Sequence, residues 1–159
     1  MIMRKYCKLL VGLIVFLNIS SCKDIYNICN TNTIVTEKSG FYRITNGVEG
    51  AAYAPLFTLI SINATSAIYH DIVNISRFTL TLNPLLDSAK FAIYINLNSS
   101  PDTITFFYTS LPFAVSPDCG SVYVNNLSKV LVTKHHLDSA RVINNIINTQ
   151  STENVKIYF

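Results

Sequence analysis

Few residues in this chain have side chains suited to chemistry: four cysteines, three histidines and nine Asp+Glu. The cysteines are Cys7, Cys22, Cys29 and Cys119, with none of the Cys-x-x-Cys spacing of a redox pair. The histidines make two His/acid clusters, His70-Asp71 and His135-His136-Leu137-Asp138. A zinc or copper ion could use His135 and His136, with Asp138 and His70 as further ligands. Adjacent residues on a strand point to opposite faces, however, so the default is a solvated turn and no metal or other cofactor. There is no H-E-x-x-H, no Gly-rich phosphate loop and no G-x-S-x-G. The scattered acids show no sign of the spaced pair that glycoside hydrolysis needs. No catalytic residue is assigned, and the expectation is that the chain is not an enzyme.

Cys22 has the more telling surroundings. A cationic start (Arg4, Lys5, Lys8) leads into the apolar run Leu9 to Leu17, then into Ile19-Ser20-Ser21 ahead of the cysteine. That is a secretory signal with its regions in order. The residues before Cys22 resemble the bacterial lipobox, whose cysteine is acylated and becomes residue one. The apolar run falls far short of the ~20 residues a membrane-spanning helix needs. Residues 1–21 are therefore expected to be removed, leaving a membrane attachment through lipid on Cys22. The alternative is a secreted protein cut near Ser21, with Cys22 an ordinary half-cystine. If Cys7 leaves with the signal and Cys22 takes lipid, Cys29 and Cys119 remain as a disulfide pair in an oxidising compartment.

The same cut changes the reading of charge. The chain carries 12 Lys+Arg against 9 Asp+Glu, but Arg4, Lys5 and Lys8 account for the whole excess. The remainder is neutral and has no basic run, which argues against nucleic acid as a partner.

Elements that could position these residues read as strands. Ile, Val, Phe, Tyr and Thr abound, and from Phe41 onward short alternating runs are separated by turn signals. Phe41 to Thr45 precedes Asn46-Gly47; Leu56 to Ile62 comes after Pro55; Ser76 to Leu82 puts Phe78, Leu80 and Leu82 on one face. Ala89 to Leu97 and Thr103 to Thr109 flank Asn98-Ser99-Ser100-Pro101-Asp102 and predict a hairpin. Pro112 and Pro117 punctuate the next stretch, Ser121 to Asn125 is a further short strand, and Asn154 to Phe159 alternates into a paired tail. Asp138 to Ile147 fits a helix period in part and is assigned to strand. The expected fold is all-β: a single immunoglobulin-like β-sandwich of about seven or eight strands over residues 39–159, behind a tether at 22–38.

Ser116-Pro117-Asp118-Cys119-Gly120, Val122 to Leu127 and the ending Asn154-Val155-Lys156-Ile157-Tyr158-Phe159 resemble a family of small Bacteroidota lipoproteins classed as a domain of unknown function. Cys29 matches the family's early cysteine and Cys119 its motif cysteine, whereas Gly47 to Asp71 departs from the pattern. The resemblance implies taxon, address and fold but no mechanism. It also implies an outer-membrane protein as a partner. In that phylum O-glycans are attached at Asp-Ser/Thr before a small or apolar residue. Asp87-Ser88-Ala89, Asp102-Thr103-Ile104 and Asp138-Ser139-Ala140 fit this pattern, making Ser88, Thr103 and Ser139 candidate acceptors. The competing reading is Asx-type turns leading into strands. Asn-x-Ser/Thr sequons at Asn63, Asn74, Asn98 and Asn126 are disregarded behind a lipobox.

The expectation is thus an outer-membrane lipoprotein acting as a non-catalytic accessory or interaction subunit. Lys23-Asp24 resembles a surface-export signal that Ile25 interrupts, which leaves periplasmic against surface facing open. Two other classes stay in play. A glycan-binding module would show exposed, coplanar aromatics, with Phe107, Tyr42 and Tyr53 the residues to watch. A metal-handling or enzymatic domain would bring His70, His135, His136 and Asp138 together.

Overall fold

The computed structural model describes residues 29–96, 100–150 and 152–159. Strand β1 (Glu37–Thr45) buries Glu37, Ser39 and Phe41 on its inward positions and ends at Asn46-Gly47. Both turn residues have positive φ, 52° and 79°. That backbone suits asparagine and glycine and folds β2 (Val48–Ala51) directly back onto β1. Next come β3 (Ala54–Ser61), β4 (Ala67–Ile75), β5 (Arg77–Leu80), β6 (Ser88–Tyr94), β7 (Asp102–Ser116) and β8 (Gly120–Val132). The last three are β9 (Ser139–Val142), β10 (Ile146–Ile147) and β11 (Val155–Tyr158). Among the described residues there is no helix.

The strands form two packed sheets, the sandwich expected from the sequence but with eleven strands rather than seven or eight. Five of them make one sheet in the order β2-β1-β11-β9, with β5 also on β1. Register shows how β1 serves three neighbours. Residues 39–42 pair with β11 in parallel, while residues 37–40 pair with β5 and residues 42–45 with β2. Thus β5 and β2 share one edge of β1 end to end, and β11 takes the other. The remaining six strands run β10-β8-β7-β6-β3-β4.

Phe41, Phe78 and Phe57 hold the two layers together, with ring centroids 4.9–5.6 Å apart. Around them lie Leu59, Leu80, Ile93, Ile104, Phe106, Leu127 and Ile157, all buried. Polar pins close the rim. The Tyr69 hydroxyl on β4 donates to Thr79 O on β5 and accepts from the Thr79 amide, both at 3.1 Å. Tyr108 OH donates to Asn83 O at 2.9 Å.

The expected Ser121–Asn125 strand is one stretch of the much longer β8. Pro112 does not interrupt β7, because β6 pairs with β7 only as far as Phe107. Beyond that point a proline need satisfy a single neighbour. The 138–147 segment is strand in two short pieces, β9 and β10, and the tail is paired on both sides. Of the predicted 89–109 hairpin, β6 and β7 pair as expected, while part of the connecting loop lies outside the described residues.

Candidate functional site

Pairing of β7 with β8 runs much further than that of β7 with β6, continuing to Ser116↔Gly120. From about Thr109 outward these two strands form a ribbon that extends past the end of β6. Gly120 at φ 68° turns the chain at its tip, and Cys119 donates its amide to Ser116 Oγ at 3.0 Å. There Cys119 is bonded to Cys29, with Cα atoms 4.8 Å apart. The disulfide expected from the sequence is therefore present, and it fastens the start of the described chain to the ribbon tip. From Cys29 the chain runs back toward β1, with Asn32 Nδ2 donating to Thr149 O at 2.9 Å. Cys22 lies outside the described residues, seven positions before Cys29.

Register assigns the ribbon's two faces. Leu111 pairs with Val124 and Phe113 with Val122, so these four share one face; Pro112, Ala114 and Tyr123 share the other. Leu111 is 61 % exposed, Phe113 54 % and Tyr123 48 %. Between Thr109 and Asn126 the only charged residue is Asp118. Phe113 and Tyr123 thus stand on opposite faces and make no common stacking platform. Of the aromatics singled out from sequence, Phe107 and Tyr42 are half-buried and Tyr53 is exposed.

A second cluster covers the outer face of the five-stranded sheet, and no sequence motif announced it. Alternation in the tail turns Lys156 outward, between the buried Val155 and Ile157. Its ammonium pairs with Glu49 and lies 4.4 Å from the Tyr42 ring centre. Tyr158 OH donates to Glu49 at 2.7 Å. Tyr42 OH donates to Glu153 at 2.8 Å, and Arg77 pairs with the other oxygen of Glu153 at 3.3 Å. The hydrogen bond from Lys156, then that from Tyr158, holds the Glu49 carboxyl below the usual carboxylate range; Glu49 in turn holds Lys156 above its own. Gly40 lies beneath this lattice, where a Cβ would run into the Glu153 carboxylate. Each carboxylate is engaged by one cation and one phenol. Such an arrangement ties β1, β2, β5 and β11 together and offers no unpaired acid for proton transfer.

The histidines fall in different places. His70 lies on β4, and His135 and His136 come just after β8; in the sheet order, four strand spacings of about 4.8 Å separate β4 from β8, or about 19 Å. His70 Nδ1 is 3.4 Å from Asp71, and both side chains are exposed on an edge strand. His135 Nδ1 lies 3.0 Å from Pro101 O and 3.5 Å from Asp102. Among the described residues no three of His, Cys, Asp and Glu gather to hold a metal ion. Also among them, no helix is long and apolar enough to cross a membrane.

The candidate glycan acceptors differ in setting. Ser139 is exposed on the edge strand β9, whereas Ser88 and Thr103 are half-buried within paired strands. Ser88 Oγ donates to Asp87 at 3.1 Å. Asp102, ahead of Thr103, is itself buried and holds the 133–137 loop through hydrogen bonds from Thr133, His135, His136 and Leu137. That role was not visible in the sequence, where Asp102 read only as part of a turn or a glycan motif.

No curated protein and no solved structure matches this chain. A family model does, across residues 56–159, a span that takes in the Cys119 motif, the long ribbon and the tail strand. The chain belongs to that family, described as a family of unknown function (DUF6452).

Proposed function

We propose that this protein is a lipid-anchored lipoprotein of the outer membrane, and that its sandwich is a non-catalytic accessory or interaction subunit. The observation that carries the reading is Ile19-Ser20-Ser21-Cys22 behind a cationic and then apolar leader. Two features support it. The disulfide uses Cys29 and Cys119 on each other, so neither is required by Cys22. The acids that cluster, Glu49 and Glu153, are committed to holding strands together. An integral outer-membrane protein is the partner class implied by the family resemblance. Neither a stacking platform at Phe113 and Tyr123 nor a gathering of histidines favours the glycan-binding or metal-handling alternatives.

The test has two parts. Radiolabelled palmitate should enter the wild-type chain in its native host and not a Cys22→Ser chain. Mass spectrometry of cross-linked, mildly solubilised outer membranes should then find a stoichiometric membrane-protein partner. A palmitate-free wild-type chain rejects the anchor. Recovery of the lipoprotein alone, under conditions that preserve known complexes, rejects the subunit role.

A further inference from the structure

The apolar ribbon and the disulfide at its tip acquire a joint meaning once the position of Cys22 is considered. Cys29 comes seven positions after Cys22, and an extended chain spans at most about 3.6 Å per residue, so the two are within about 25 Å. Cys29 is bonded to Cys119 at the ribbon tip. Whatever surface holds the lipid on Cys22 therefore also holds this tip nearby. We infer that the ribbon's outer face, Leu111, Phe113, Val122 and Val124, seats in the lipid interface as a second, non-covalent contact beside the acyl anchor. The inference rests on the lipoprotein reading above and deepens it.

The ribbon has the composition such a contact needs. Its outer face is four apolar side chains in adjoining cross-strand pairs, with Leu111 and Phe113 more than half exposed. Contiguous exposed apolar surface on a domain marks an interaction site. No lysine or arginine lies between Thr109 and Asn126, and Asp118 is the one charge, so little charge must be desolvated when this stretch meets headgroups and upper acyl chains. Tyr123 on the other face has the amphipathic ring that favours the membrane–water boundary. Other exposed apolar residues, such as Ile68, Ile72 and Val73 on β4, lie on a strand with no disulfide to the tether. A short tether also raises the local concentration of the surface, so a contact too weak to act alone becomes effective.

The absence of tryptophan from the chain makes the test direct, since one substitution supplies the sole indole fluorophore. Full-length lipidated protein carrying Phe113→Trp, Leu111→Trp or, as control, Ile72→Trp would be reconstituted into vesicles of phosphatidylethanolamine and phosphatidylglycerol. Palmitate on Cys22 and flotation with the vesicles are verified first. The expected result is blue-shifted emission for Phe113→Trp and Leu111→Trp, quenched by brominated lipid, with Ile72→Trp unchanged. Solvent-like emission at both ribbon positions in floated protein overturns the inference while leaving the anchor standing. A blue shift without lipid quenching also overturns it, since the ribbon is then covered by a second copy or another protein. Equal quenching at Ile72→Trp removes the ribbon's special status. A chain without palmitate overturns the anchor reading and this inference with it.

Discussion

Two buried carboxyls set opposite pH dependences in this fold. Asp102 is 1 % exposed and accepts four hydrogen bonds of 2.8–3.0 Å, from the Thr133 hydroxyl and the amides of His135, His136 and Leu137. Burial pulls its pKa upward, but those donors together outweigh burial and leave it below the ordinary 3.8. A depressed folded pKa gives stability that is present above the unfolded value and is lost as pH falls through the folded one. Asp102→Asn should therefore cost about 2–4 kcal/mol at neutral pH, because an amide cannot accept from all these donors. Urea midpoints at pH 7 and pH 3 check this: the gap between the two proteins should narrow in acid, and an unchanged neutral midpoint would rule the loop-holding role out. Glu37 behaves in the reverse sense. It is fully buried, accepts from Ser39 Oγ at 2.7 Å, and its other oxygen has no protein partner. Burial pushes its pKa from 4.5 to about 8. Its contribution is complete below the unfolded pKa and is lost as pH rises through about 8, so between these values stability falls with pH. Glu37→Gln removes the ionisable group, and at pH 8 should stabilise by roughly 1–3 kcal/mol while flattening the slope between pH 5 and 8. Parallel pH–stability curves for wild type and variant would mean that the carboxyl is hydrated in the fold.

Among the elements, β11 has the most consequence for its length. It sits between β1 and β9, pairs in parallel with the first strand, and buries Val155 and Ile157 completely. Asn154 just before it accepts from the Lys38 amide at 3.1 Å and donates its own amide to Lys38 O at 2.8 Å. A chain ending at Glu153 leaves β1 and β9 unpaired on that side and removes two fully buried aliphatic side chains, each worth about 2 kcal/mol or more. Such a chain should show no cooperative urea transition, and a retained sharp transition would mean the five-stranded sheet closes without its tail. How far elements were legible depends on how local their signals are. Asn46-Gly47, the alternation in Phe78-Thr79-Leu80 and the tail's alternation are short-range codes, and each appears as the expected element. Tail alternation said that β11 is paired but not with which strand, because a parallel partner more than a hundred residues away leaves no mark on local pattern. β2 was missed because Val48-Glu49-Gly50-Ala51 is exposed throughout and carries no apolar period. The outer-face lattice was missed for a related reason: Glu49, Tyr42, Glu153 and Lys156 meet only after β1, β2 and β11 are side by side.

For the whole molecule, the Cys29–Cys119 bond joins a segment outside the sandwich to a ribbon that extends past the end of β6, across a separation of 90 residues. Neither partner lies in a buried part of the core, so breaking the bond should leave the sheets intact and act chiefly on the unfolded chain. On the loop-entropy account, closing a loop of that size is worth about 4–5 kcal/mol, since it confines most of the denatured ensemble. Two signatures separate this from local strain at the tip. A Cys29→Ser/Cys119→Ser chain should have a lower urea midpoint than the oxidised protein. Its dependence on denaturant should also be steeper, because an uncrosslinked unfolded chain is less compact and exposes more surface. Removing only a local contact would lower the midpoint at constant slope. Equal midpoints would mean that the bond constrains the tether and ribbon without stabilising the sandwich. The same variant bears on the membrane-facing inference from another side. Without the bond the ribbon tip is no longer tied beside Cys29, so lipid quenching at Phe113→Trp should weaken even where the sandwich stays folded. Stability and ribbon placement can thus be read from one pair of proteins: urea unfolding reports the unfolded chain, and fluorescence in vesicles reports where the folded one puts its ribbon.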